Sequence, residues 1–322
     1  MIRSSDEITG LEIKTGLESA RHALIALFAD DATVFLSKND KPSSLWRILD
    51  LWCDASGAKF NKPKTVAIPV GSKAYRKQLI ESGKLNPTHN DTERLDLFGI
   101  MNILHDGEAT RILGAFLGNH VSNEHKWPEI VERITAALDR WNNHHPTMIG
   151  RRIITQITVG GMTQFLARAQ GMPDKIKKQL HQITWRFIWN TPTGPPPIKN
   201  EMLYAPITAG GMGALDILSR SEALDLIRLQ QMINTDPRRP LATDAANAVI
   251  YESLPTSERK NVPPRTRSKF FLQNVYKREK YTARRLPEDI RQMLNTSKKH
   301  DVYFNALQLS NQHKLELPVW HH

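Results

Sequence analysis

Short apolar runs divided by polar residues characterise the first third of the chain, whereas a helical period of hydrophobic positions dominates the rest. Two apolar, partly β-branched runs at 23–28 and 32–36 flank a polar pair, which predicts a tight β-hairpin. Helical spacing follows at Leu45, Ile48, Leu49, Trp52 and Cys53. We therefore expect a helix that begins near Ser43 or Ser44, ends near Gly57 and packs one face on the sheet.

The next stretch contains further strands and a basic helix. Residues 59–68 predict one or two strands broken by Pro63, and residues 74–82 predict a helix. At 112–117 an apolar run contains Gly114 and is followed by Gly118, and both glycines suit a tight hairpin with close backbone approach. This part of the chain is expected to end near residue 120.

Helices are expected from Trp127 onward, with Pro128 in a first turn. One predicted face consists of Ile130, Ile134, Leu138 and Trp141. A second helix at 148–170 is interrupted by two glycines, Gly160 and Gly161. A third begins near Pro173, and we assign its Trp185 and Trp189 to packing. The fold class is therefore α+β, with predicted domains at 1–120, 121–235 and 236–322.

The net charge of +11 and the pI near 9.7 indicate attraction to polyanions, above all nucleic acid. A basic but merely solvated surface is the alternative. Residues 251–300 carry 13 Lys or Arg against 5 Asp or Glu, with aromatic residues among them. That pattern suits either nucleic-acid binding or a small helical unit with a basic surface.

The number of cysteines and the hydropathy of the chain indicate the cellular compartment in which the protein is expected. Cys53 is the only cysteine, which excludes an intrachain disulfide and a Cys-based zinc site, and we expect no disulfide-linked partner. The first ten residues hold no apolar signal-peptide run, and no stretch approaches the roughly 18 apolar residues of a membrane span. The expected location is intracellular, in the nucleus or cytoplasm, without membrane contact.

Asp30 and Asp31 are the most distinctive chemical feature, since they are adjacent at the tip of the predicted hairpin. Two ionised carboxylates side by side repel each other unless a cation or strong hydrogen bonds compensate. Mg²⁺ suits such a pair because it takes one or two carboxylates and keeps other positions for water and phosphates. Ordinary turn chemistry of Asp is the alternative.

With its apolar flanks, the stretch Phe28, Ala29, Asp30 and Asp31 resembles the metal-binding hairpin of reverse transcriptases, in particular those of non-LTR (LINE-type) retrotransposons. Later stretches follow one another as in that family: 56–65 with its Gly turn, Asn and Lys, 112–118, Trp141, 149–154, 172–173, 187–189 and 210–213. The resemblance covers roughly residues 8–230.

The resemblance implies a truncated reverse-transcriptase palm, a small antiparallel sheet with helices, followed by a helical thumb and a basic C-terminal segment. It implies Mg²⁺ bound by Asp30 and Asp31, and Lys64 near the incoming phosphates, where simple solvation of this lysine is the alternative. RNA and DNA are the expected partners, as an RNA–DNA hybrid or primer–template. The predicted nucleic-acid contacts are Gly114, Phe116, Gly118, Arg151, Arg152, Lys175, Lys178, Arg265, Arg267, Lys277 and Arg278.

One part of the family's metal site has no counterpart here. Members draw a further carboxylate from an earlier strand, whereas only 29 residues precede Asp30 and the candidate among them, Asp6, lies in no matching context. The family's fingers and first palm strands are likewise unmatched. We therefore expect an inactive polymerase fragment, or alternatively a non-catalytic nucleic-acid-binding protein. A helical scaffold without a nucleic-acid role is a third possibility.

Overall fold

A computed structural model describes residues 1–13, 21–95, 101–122, 124–190, 198–232, 234, 239–253, 286–302, 311 and 315. The chain forms two compact units. The first comprises Met1–Val121, Met232–Leu286 and Phe304–His322, and the second comprises Ser122–Gln231 and Pro287–Tyr303. Short strands and helices build the first unit, and the described part of the second is helical. The chain is an α+β protein, as the sequence predicts.

Eight short strands are present in the described residues: β1 Leu11–Ile13, β2 Arg21–Ala23, β3 Ile25–Phe28, β4 Asp31–Val34, β5 Val66–Ala67, β6 Asn102–Ile103, β7 Thr110–Ile112 and β8 Ala115–Leu117. They pair in sequence order as four sheets of two strands each. Three pairs are antiparallel, and β5 with β6 is parallel. The strand region therefore consists of small ladders held together by helices and loops.

Helices account for most of the remaining described chain. Their bounds are α1 Pro42–Ser56, α2 Lys73–Ser82, α3 Trp127–Asn142, α4 Met148–Thr155, α5 Gly161–Gln170, α6 Asp174–Trp189, α7 Asn200–Tyr204, α8 Ile217–Met232, α9 Leu241–Ser253 and α10 Glu288–Lys299.

Helix α1 begins slightly earlier than its sequence predicts, at Pro42 rather than at Ser43 or Ser44. Proline suits a first helical turn because its φ is already helical and its missing N–H has no partner there. Glu93 supplies the cap instead, accepting hydrogen bonds from the Ser43 backbone amide at 3.1 Å and from the Ser43 hydroxyl at 2.7 Å. The predicted stop at Gly57 is confirmed, since this residue has φ 71°.

Two small cores stabilise the first unit. One joins Leu45 and Ile48 of α1 to residues of the N-terminal segment and the β3–β4 hairpin. The other is centred on Leu79 of α2, with Leu85 and Leu95. The predicted apolar face of α1 is thus buried at its beginning. At its end it is not, because Trp52 is 42% exposed.

The second unit has a core of α-helices in which Ile134, Val159 and Leu180 are completely buried. The predicted interruption of the long helix is confirmed: a π-helical turn, Gln156–Gly160, joins α4 to α5. Trp189 packs beside the buried residues Ile188, Leu203 and Ala214, in agreement with its assignment to packing. Trp141 differs from expectation, since it lies at the end of α3 and is 47% exposed.

Candidate functional site

The two adjacent carboxylates lie at the tip of the β3–β4 hairpin. Phe28 pairs with Asp31, so the connecting loop consists of two residues, Ala29 and Asp30. Ala29 has φ 51°, in the left-handed region that two-residue hairpin loops require. An L-residue with a Cβ adopts that region at a cost of about 1–2 kcal/mol. The hairpin therefore holds its tip in a tight, fixed turn.

Asp30 and Asp31 are both exposed, and neither carboxylate has a hydrogen-bond or ion-pair partner among the residues that the structure describes. Their apolar neighbours Leu27 and Phe28 are also exposed, at 67% and 66%. Ionised carboxylates accept hydrogen bonds but donate none, and their oxygens are the ligands that a hard cation such as Mg²⁺ prefers. This pair of carboxylates could therefore bind such a cation. Among the described residues, no group of three or more His, Cys, Asp or Glu side chains could hold a metal.

Asp40 anchors the chain behind the hairpin. This side chain is 2% exposed, and its carboxylate accepts hydrogen bonds from the backbone amides of Ser37 at 2.7 Å, Thr9 at 2.8 Å and Gly10 at 2.9 Å. Burial by itself would raise the pKa of Asp40, but these amide donors outweigh it and hold the pKa below its ordinary value. Asp40 therefore ties the segment after β4 to the segment before β1.

Lys64 lies in a 3₁₀ turn, Lys62–Lys64, that follows α1. The Asn61 side chain accepts a hydrogen bond from the Lys64 backbone amide at 3.3 Å, which fixes the turn. The Lys64 ammonium is exposed and has no acidic partner within the described chain. Lys62, by contrast, pairs with Asp50 at 3.3 Å. Lys64 is thus available to an anion.

Gly114 and Gly118 belong to the β7–β8 hairpin, and both fit the predicted tight geometry. Leu113 and Gly114 form its two-residue loop with φ values of 50° and 88°, typical of a type I′ turn. A Cβ on Gly118 would lie 2.0 Å from the backbone oxygen of Glu108. Phe116 is half-buried in β8. Turn geometry and backbone approach account for the two glycines.

The basic residues of the second unit that are predicted to contact nucleic acid differ in how accessible their side chains are. Arg151 is 4% exposed and donates hydrogen bonds to the backbone oxygen of Phe187 and the side-chain oxygen of Asn142, both at 2.8 Å. We therefore correct its assignment from a nucleic-acid contact to a structural role, since its guanidinium is committed internally. Arg152 is half-buried and donates to the Met212 oxygen at 3.2 Å.

Two lysines of α6 are exposed. Lys175 lies 3.7 Å from Glu124, whereas Lys178 has no acidic partner among the described residues. The remaining predicted contacts, Arg265, Arg267, Lys277 and Arg278, lie outside the described residues.

Three features of the structure were not predictable from the local sequence. The anchoring role of Asp40 and the burial of Arg151 depend on partners that are distant in the chain. The third, the exposure of Trp52, runs against the helical spacing of its neighbours.

Comparison with known proteins leaves the family open. No protein-family model matches the chain, and a search of curated proteins finds no significant match. No helix in the described part of the chain has the length and apolar character needed to cross a membrane.

Proposed function

We propose that this chain is related to the reverse transcriptases of non-LTR retrotransposons, and that it binds an RNA–DNA primer–template with Mg²⁺ at the β3–β4 hairpin without polymerising by itself. One observation carries the proposal: two adjacent, exposed carboxylates without partners in the described chain stand at the tip of a two-residue turn.

Each residue of the proposed site has a distinct role. Asp30 and Asp31 hold the metal ion, and the exposed Lys64 provides a point cation for phosphate. A bound Mg²⁺ supplies a Lewis acid that neutralises phosphate charge. Nucleotidyl transfer by two metals needs carboxylates from more than one element, and the hairpin supplies two neighbouring ones from a single turn. The chain is therefore expected to bind its substrate without catalysing transfer.

We predict that the purified chain does not extend a DNA primer on an RNA template in the presence of magnesium. Among the described residues no third acidic side chain joins Asp30 and Asp31 at the hairpin, so the reacting atoms would be held in the wrong geometry, at a cost of about two or more orders of magnitude in rate. Primer extension with labelled primer measures this directly. Template-directed extension that depends on magnesium and disappears in the Asp30→Asn, Asp31→Asn double variant would show that the proposed inactivity is wrong.

Binding provides the second test. We expect Mg²⁺ to tighten binding of the primer–template by about tenfold, which corresponds to ~1.4 kcal/mol, relative to EDTA at matched ionic strength. The double variant Asp30→Asn, Asp31→Asn should lose this magnesium effect. The double variant Glu12→Gln, Glu81→Gln is the matched control, because it also removes two negative charges, at exposed carboxylates of the same unit outside the hairpin. Filter binding over a magnesium titration gives both affinities.

A second candidate function is nucleic-acid binding without a metal. It is favoured by the net charge of +11 and by the exposed Lys178. In that case binding would weaken steeply with salt, as release of counterions requires, and magnesium would have the same effect on the chain and on the Asp30→Asn, Asp31→Asn variant. The same titration therefore separates the two functions.

A further inference from the structure

Two aromatic residues of α1, Trp46 and Trp52, contact residues of the segment that follows the helix. The ring of Phe60 lies 5.4 Å from the ring of Trp52, centroid to centroid, at an angle of 44°. The ammonium of Lys62 lies 5.0 Å from the centroid of the Trp46 ring. We call this the Trp52 surface, and it consists of Trp46, Trp52, Lys59, Phe60, Lys62 and Lys64.

Packing of the first unit does not account for this arrangement. The side of α1 that enters the core is formed by Leu45 and Ile48, while Trp52 remains 42% exposed. Phe60 contacts the Trp52 ring, and the 42% exposure of Trp52 leaves part of its side chain open to solvent. An aromatic side chain that is held in place by one neighbour and is still partly exposed can stack with a second flat, apolar group.

Charge narrows the choice of that group. Lys62 is engaged by Asp50 at 3.3 Å, but Lys59 and Lys64 are exposed and have no acidic partner in the described chain. Asp50 and Asp54, both on α1, are exposed carboxylates of this region, and Asp50 pairs with Lys62. Two exposed lysines on the loop that carries Phe60, whose ring contacts the partly exposed indole of Trp52, match a ligand that combines a flat ring with negative charge. A nucleotide strand has both, with a base for the ring and phosphates for the lysines.

We propose that the Trp52 surface binds single-stranded nucleic acid, with one base stacked on Trp52 and neighbouring phosphates near Lys59 and Lys64. Single strands are required because the flat faces of paired bases are already covered by their neighbours in a duplex. This inference rests on the proposed nucleic-acid binding of the chain, and it adds a site that uses neither Asp30 nor Asp31.

The test compares a thymidine dodecamer with an abasic dodecamer of the same length and charge. Stacking requires a base, whereas phosphate attraction does not, so the thymidine strand should bind about tenfold more tightly. Trp52→Ala should abolish that preference, and Trp52→Phe should keep most of it because the aromatic face is retained. Trp141→Ala is the matched control, since Trp141 is 47% exposed and lies outside the surface.

Fluorescence anisotropy of the labelled strands gives the affinities, and a uridine dodecamer in a parallel arm distinguishes RNA from DNA. Equal binding of the thymidine and abasic strands, or equal effects of Trp52→Ala and Trp141→Ala, would overturn the inference. Circular dichroism establishes that each variant is folded. Failure of the proposed function has a different signature: the primer–template would not respond to magnesium or to the hairpin variant, whatever the single strands do.

Discussion

Replacing Asp40 by alanine is expected to lower the free energy of unfolding of the first unit by about 3–5 kcal/mol. The buried carboxylate accepts hydrogen bonds from three backbone amides, those of Thr9, Gly10 and Ser37. Alanine would leave all three amides without this acceptor, and the amide of Gly10 is buried. The N-terminal segment and the end of the hairpin would separate first, since Asp40 is their common anchor.

The effect should depend on pH with a definite sign. Because the pKa of Asp40 is lowered on folding, its contribution is fully present above the unfolded pKa of about 3.9 and is lost as the pH falls through the folded pKa. The difference between the chain and Asp40→Ala should therefore shrink in acid.

Hydrogen exchange of residues 1–13 and 31–40, together with urea unfolding, measures the destabilisation. Asp54→Ala is the control, because it removes an exposed carboxylate. Unchanged protection of both segments in Asp40→Ala at neutral pH would contradict the anchoring role.

Replacing Arg151 by alanine is expected to destabilise the second unit by about 3 kcal/mol. The guanidinium joins the end of α3, the loop before α4 and the end of α6, through Asn142, the Pro146 oxygen at 3.1 Å and the Phe187 oxygen. It also lies 5.0 Å from the centroid of the Phe187 ring. Burial lowers the pKa of this group, and its hydrogen bonds offset the cost of burying the charge.

Arg168→Ala is the matched control, since Arg168 is an exposed arginine of the same unit. Urea unfolding by circular dichroism should separate the two variants, while the affinity of the folded protein for the primer–template should be the same in both. A stable Arg151→Ala protein with selectively weakened binding would restore Arg151 to the nucleic-acid surface.

Features encoded by neighbouring residues were predictable. The apolar runs around Asp30 and Asp31 predict the hairpin, and Gly57 and Gly114 mark a helix end and a tight turn through their freedom to adopt positive φ. In each case the signal and the structure lie within a few residues of each other.

Features that depend on residues distant in the chain were not predictable from the sequence. Arg151 and Arg152 are adjacent residues of the same type, yet only Arg151 is buried. The burial of each side chain depends on its position on α4 relative to α6. Glu93 caps α1 from 50 residues away. Strand β5 has two residues and pairs with β6 far along the chain, so its sequence contains too little pattern to identify a partner.

The π-helical turn at Gln156–Gly160 has a consequence for how the chain tolerates length changes. A π turn accommodates about one residue more than an α turn, and each residue of an α-helix advances about 100° around its axis. Deleting one residue there would therefore restore a regular helix with little change in the direction of the side chains that follow. Thr163, Leu166 and Ala167 would stay buried, whereas a deletion within α4 or α5 would rotate everything after it by about 100°. The π turn is thus the position at which this long helix tolerates the loss of one residue best.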